Sequence, residues 1–148
     1  MNSVGLFFGT FDPIHKGHEA IADFFLKNFF NEVWFVVTPM NPDKIEKGTS
    51  EENIRLEMIK GFCELNTQFK CCDIEFSLPK PNYTADTLDK IKKEYKAFEF
   101  SLIMGEDNLF TLHKWKNYLN ILNHKIYVYP RLLKHGKKAE LINHPSVI

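Results

Sequence analysis

Two histidines three positions apart, His15 and His18, stand in the stretch GTFDPIHKGH from Gly9 to His18. The stretch leaves the apolar run Val4-Gly5-Leu6-Phe7-Phe8 and leads into the helix-like EAIADFFLKNFF. Gly9 lets the backbone approach a ligand closely, and Pro13 stiffens the turn. Gly17 lies where the helix is expected to begin, so the open N–H groups and positive dipole end of that helix face the same space. That is an anion site, and phosphate is its obvious occupant. If the helix begins between the two histidines, both rings point into one cleft, where each can donate N–H bonds to phosphate oxygens. The ordinary alternative makes His15 a loop residue and His18 a cap or surface residue. For the pair, placed in this stretch after a first strand, the functional reading is preferred. Asp12 before Pro13 is an ordinary turn residue and takes no catalytic part. Other phosphate-binding patterns fail: no G-x-x-x-x-G-K followed by Ser or Thr occurs, and no G-x-G-x-x-G follows a strand.

The elements that must position this stretch alternate along the chain. Val4–Phe8 reads as a short buried strand of a parallel sheet. From Gly17 to Phe30, Ile21, Phe24, Phe25 and Phe29 fall on one helical stripe. EVWFVVTP is a second strand stopped by Pro39, and MNPDKIEKGTS a polar loop. Thr49 and Glu52 form a capping-box pattern opening a helix whose apolar face carries Ile54, Met58, Phe62 and Leu65. FKCCDIEFSL is expected to be a third strand and PKPN a break. YTADTLDKIKKEY is helical, with Leu88, Ile91 and Tyr95 on one side; FEFSLIMG is a fourth strand ended by Gly105. EDNLFTLHKWKNYLNIL is read as one helix and HKIYVYPR as a fifth strand closed by Pro130. Five β units alternating with helices predict a parallel sheet, right-handed crossovers and helices on both faces. Ligands of such sheets sit beyond the carboxyl ends of the strands where strand order reverses. The loops after strands one, two, four and five, with GTFDPIHKGH, TPMNPDK, GEDN and YPR, are therefore expected to line the site.

Bulk properties narrow the class. At 148 residues the chain fits one domain, with 44% hydrophobic residues and 14 phenylalanines. Nineteen cations balance nineteen carboxylates, which gives no reason to propose a nucleic-acid footprint or a membrane-surface patch. Only Arg55 and Arg131 are arginines. Cys63, Cys71 and Cys72 form neither an even set nor a C-x-x-C pair, which points to plain thiols in a reducing compartment. No signal-peptide core and no membrane-length apolar run occurs, so the chain reads as cytoplasmic.

GTFDPIHKGH resembles the H-x-G-H signature of the nucleotidyltransferase superfamily, whose members join a nucleoside triphosphate to a phosphate monoester. NYTADTL (Asn82–Leu88) and IMGEDNLFTLHKW (Ile103–Trp115) are similar to motif blocks of the bacterial nicotinate mononucleotide adenylyltransferases. NPDK stands where that family often has P-P-H-K, so Lys44 matches and Asp43 replaces the family's histidine. The resemblance runs from Val4 to about Arg131. It implies a Rossmann-like doubly wound α/β sheet and transfer of the adenylyl group of ATP to nicotinate mononucleotide, in NAD biosynthesis. It implies His15 and His18 as catalytic residues, and Gly9, Thr10, Phe11, Gly105, Asp107 and Arg131 beside ATP. Lys44, Thr84 and Trp115 would hold nicotinate mononucleotide, whose flat ring and carboxylate ask for a stacking face and donors. Mg²⁺ is expected on the ATP phosphates, with no ion held directly by the protein. Ordinary alternatives stand beside these: Thr84 or Asp107 as an N-cap, Trp115 as a half-buried core aromatic, Arg131 and Lys44 as solvated charge. The family continues into a further segment with an I-S-S-T-x-I-R-like block that is not found in residues 1–148, so one nucleotidyltransferase domain lacking that segment is expected. Phosphopantetheine adenylyltransferase, which would not call for YTADTL or the Trp115 block, is the rival enzyme. A non-catalytic nucleotide-binding module is the rival from another class.

Overall fold

The computed structural model describes residues 2–9, 11, 16–38, 49–78 and 83–129. Five parallel strands, β1 (Asn2–Gly9), β2 (Glu32–Val37), β3 (Phe69–Cys72), β4 (Phe98–Gly105) and β5 (Ile126–Tyr129), lie in the order β3-β2-β1-β4-β5. The helices are α1 (Lys16–Asn28), α2 (Thr49–Cys63), α3 (Thr84–Glu94), α4 (Glu106–Leu112) and α5 (Tyr118–Ile121). Alternation along the strands divides the core. Val4, Leu6, Trp34, Val36, Leu102 and Met104 pack with Leu88 and Ile91 of α3, Leu109 and Leu112 of α4, and Ile121 of α5. Phe7, Val33, Phe35 and Ile103 pack on the other face with Ala22 and Phe25 of α1 and Leu56 and Ile59 of α2. The sheet is therefore covered on both faces, which is why Val4–Phe8, Val33–Val37 and Leu102–Met104 are runs without polar side chains rather than alternating ones. Gly5 is required by that packing: a Cβ there would lie 2.6 Å from the Phe30 ring and 2.8 Å from Cδ1 of Ile103.

Four expectations are corrected. The third strand stops at Cys72, and Ile74–Ser77 forms a 3-10 turn that buries Glu75, a residue an edge strand would have turned to solvent. The segment 106–122 is two helices, because Asn117 takes a left-handed backbone (φ 53°) that no continuous helix accommodates. The apolar stripe expected of α2 divides: Ile54 and Met58, with Leu65 in the turn that follows, are exposed, Phe62 packs on Phe35 and Phe69, and Arg55, Leu56 and Ile59 are buried. Phe24 and Phe29 of the first helical segment are likewise exposed, and Ala22 and Phe25 form its buried face. No helix among the described residues is long and apolar enough to cross a membrane. The three cysteines are free, and burial pushes the Cys63 and Cys71 thiols up to about 12 and Cys72 to about 11.

Candidate active site

Strand order reverses at β1, which lies between β2 and β4. On one side the pairing of β1 holds to its last residue, Gly9 opposite Val37, and Thr38 N–H donates to the Gly9 carbonyl at 2.9 Å. On the other side it ends at Phe7 opposite Ile103, although both strands run two residues further, to Gly9 and Gly105. An unpaired crevice thus begins at the carboxyl ends of β1 and β4, where such sheets bind ligands.

Phe11 forms the floor beside it. Its backbone is left-handed (φ 49°), and its side chain is buried, edge-on to Phe7 and Phe35 at 5.4 Å each. A Cβ on Gly9 would press on that ring at 3.1–3.4 Å, so the glycine is what lets the aromatic fold back over the strand end. A phenylalanine in this conformation is strained, and burial of its ring is what holds it there. His18 rests edge-on against Phe11 at 5.1 Å and against Phe7 at 6.1 Å, with part of its surface open. Because α1 begins at Lys16, between the two histidines, His18 sits in the first turn, where the open N–H groups and the positive dipole end lie. Thr10, His15, Lys44 and Arg131 lie outside the described residues.

Behind the crevice is a buried polar cluster with no local sequence signal. Nη1 of Arg55 donates to the Thr38 carbonyl at 3.0 Å. Thr87 Oγ1 donates to the Glu75 carboxylate, and the Thr38 side chain reaches the same carboxylate. Burial raises the Glu75 carboxyl above its ordinary range, and the two hydroxyl contacts pull it partly back. The cluster ties α2, the 3-10 turn and α3 to Thr38, whose amide holds Gly9. It braces the strand end that carries the crevice.

On the β4 side, Gly105 caps α4 in ordinary extended geometry (φ −75°, ψ 156°), and Asp107 lies in the helix's first turn. The cap of α4 is Gly105 and not Asp107; likewise the cap of α3 is Tyr83, and Thr84 is the first helical residue. Trp115 follows α4 in a turn closed by its N–H on the Leu112 carbonyl at 3.0 Å. Its indole Nε1 donates to Thr111 Oγ1 at 3.1 Å, and the half-buried ring packs on the α3 side of the core. The neighbouring Lys116 reaches the Tyr83 ring at 4.7 Å and Asp86 at 3.7 Å. The turn holding Trp115 therefore runs along the first turn of α3, bringing Trp115 and Thr84 to one side of the molecule. Among the described residues no group of three or more His, Cys, Asp or Glu gathers as a metal cage.

A model of the cytidylyltransferase-like family matches residues 6–142. A Flavobacterium johnsoniae protein named "Probable nicotinate-nucleotide adenylyltransferase" is 49% identical over 146 residues, which span 97% of this chain and 76% of that protein. A Christiangramia forsetii protein of the same name is 50% identical over 139 residues, 93% of this chain and 71% of that one. Among solved structures, the Plasmodium falciparum nicotinic acid mononucleotide adenylyltransferase complexed with NaAD shares the fold, with a TM-score of 0.78 at 19% identity over 100% of this chain and 74% of that chain.

Proposed function

Because the chain belongs to the cytidylyltransferase-like family and, within it, to the nicotinate-nucleotide adenylyltransferases, we propose that it transfers the adenylyl group of ATP to nicotinate mononucleotide, giving nicotinate adenine dinucleotide and pyrophosphate. The phosphate oxygen of the acceptor attacks the α-phosphorus of ATP in line, and the bond from that phosphorus to the bridging oxygen breaks as pyrophosphate leaves. No enzyme nucleophile is required. Catalysis of such a transfer comes from positioning and from neutralising charge on the transferring group.

The observation that carries this reading is the seat of His18: at the mouth of α1, beside the crevice where β1 parts from β4. There its ring N–H and the helix amides face the triphosphate, with His15 as the second imidazole donor. Gly9 and Thr10 bring backbone close to the nucleotide. Phe11 contributes through its backbone and through the ring under His18. From the β4 and β5 side, Gly105, Asp107 and Arg131 complete the ATP site. Lys44, Thr84 and the face of Trp115 hold nicotinate mononucleotide, the indole against the ring and Thr84 with nearby amides on the carboxylate.

Mg²⁺ is proposed to arrive with ATP. Such ions keep several waters and bind chiefly through substrate phosphates, so no ion is proposed to be held directly by the protein. The ion supplies neutralisation of phosphate charge; orientation of the nucleotide falls to the backbone at Gly9 and to the imidazoles.

The test is incubation with ATP, Mg²⁺ and either nicotinate mononucleotide or 4′-phosphopantetheine while pyrophosphate is followed. Release with the first acceptor and not the second is expected. Release with phosphopantetheine alone would sink the assignment.

A further inference from the structure

Tyr83 is the joint between two groups proposed to hold the acceptor, Thr84 beside it in the chain and Trp115 in the neighbouring turn. Its ring lies under the Lys116 ammonium at 4.7 Å, one residue beyond Trp115. Its carbonyl receives the Thr87 amide at 3.1 Å and the Thr87 hydroxyl at 3.2 Å. The Tyr83 side chain makes no cap bond to the helix. The Thr87 hydroxyl therefore stands between the Tyr83 carbonyl and the Glu75 carboxylate, and Glu75 in turn meets the Thr38 side chain just past β2.

Glu75 is 1% exposed. Burying a carboxyl costs stability that an apolar side chain of similar shape would not, so its presence calls for a directional task. Ala85, Leu88 and Ile91 hold α3 on the sheet by packing, which fixes no direction. The bond between Thr87 and Glu75 does, and it joins the first turn of α3 to the 3-10 turn and the sheet. We infer that Glu75 is a positioning residue for the acceptor: through Thr87 it sets the first turn of α3, and with it the placement of Thr84 relative to Trp115. This rests on nicotinate mononucleotide being that acceptor, whose flat ring and carboxylate need a stacking face and donors at a fixed separation. The ATP side depends on Glu75 less, because the Thr38 amide holds Gly9 and Arg55 holds the Thr38 carbonyl without it.

Steady-state transfer with each substrate varied in turn, in Thr87→Val, Glu75→Met and Thr87→Ser, tests this. In the first two, KM for nicotinate mononucleotide should rise about tenfold while KM for ATP stays within about twofold. Thr87→Ser keeps the hydroxyl and should restore the acceptor KM. Hydrogen exchange gives a readout without turnover: in the first two variants the Thr87 amide should exchange about tenfold faster, with the Thr38 amide unchanged. A loosening of the whole fold would instead raise both KM values together. That result, or an unmoved acceptor KM in a folded variant, would overturn the inference. Should Thr87→Val fail to fold, Glu75→Met, which leaves no buried charge behind, decides. If the unchanged protein releases no pyrophosphate with nicotinate mononucleotide, the acceptor itself is wrong, and the exchange rates alone decide whether Glu75 fixes the turn.

Discussion

His18 leans on Phe11 with part of its ring open, so alanine there would remove the proposed phosphate donor without hollowing the core. By analogy with the loss of a single oxyanion donor, His18→Ala should lower turnover by about 10²–10³-fold at an unchanged thermal midpoint. Steady-state pyrophosphate release measures it, and a variant keeping most of its rate would take His18 out of the mechanism. Glu75 makes a prediction of opposite character. Its carboxyl is raised above the ordinary 4.5, chiefly because burial disfavours the charge. The native state therefore holds this proton more tightly than the unfolded chain does. The stability it contributes is full below pH 4.5 and is lost as pH rises through the raised native value. Glu75→Gln has nothing to ionise, so its advantage in thermal midpoint should be near zero in acid and grow towards neutral pH. A difference flat across pH would show that burial does not govern this group. The two residues also mark what could be read from sequence. His18 belongs to a ten-residue motif whose geometry is local, and its helix begins where the glycine and histidine spacing required. Glu75 meets Thr87 twelve positions on and Thr38 far behind it, and no periodicity links residues that distance in the fold alone brings together.

At the scale of elements, order and type were legible where one local signal dominated. β1, β2 and β4 carry runs free of polar side chains, Val4–Phe8, Val33–Val37 and Leu102–Met104, because both faces of each are covered there. Misreadings arose where pattern and packing part. On α2 Ile54 and Met58 face outward, while Leu56, Ile59 and Phe62 meet the core. Asn117 breaks segment 106–122, but asparagine is unremarkable in a helix until its backbone is seen to be left-handed. β1 also carries a demand visible only after folding. A methyl on Gly5 would meet the buried Phe30 ring at 2.6 Å, against a strand backbone that cannot retreat from its two neighbours. Gly5→Ala should accordingly cost about 1–3 kcal/mol by urea denaturation, the range for overpacking a dense core. An unchanged midpoint would mean that Phe30 and Ile103 give way freely.

For the molecule as a whole, the crevice and the fold are coupled through Gly9. Its carbonyl is held by Thr38, its close approach admits Phe11, and Phe11 seats His18. A nucleotide bound as proposed, between the mouth of α1 and the end of β4, would join elements that belong to opposite halves of the sheet and would bind only the folded arrangement. Ligand that binds the native state alone adds RT ln(1 + [L]/Kd), about 2.7 kcal/mol at a hundredfold excess over Kd. In a chain of 148 residues that corresponds to a rise of about 5–10 °C in thermal midpoint. ATP with Mg²⁺ should produce such a rise. Adenosine, which lacks the phosphates, should produce much less, and ATP after chelation with EDTA an intermediate shift. His18→Ala should shrink the ATP shift while leaving any adenosine shift as it was, if the imidazole meets phosphate and not base as proposed. Equal shifts in the variant and the unchanged protein would separate His18 from the triphosphate. The crevice would then bind its nucleotide by backbone and helix dipole alone.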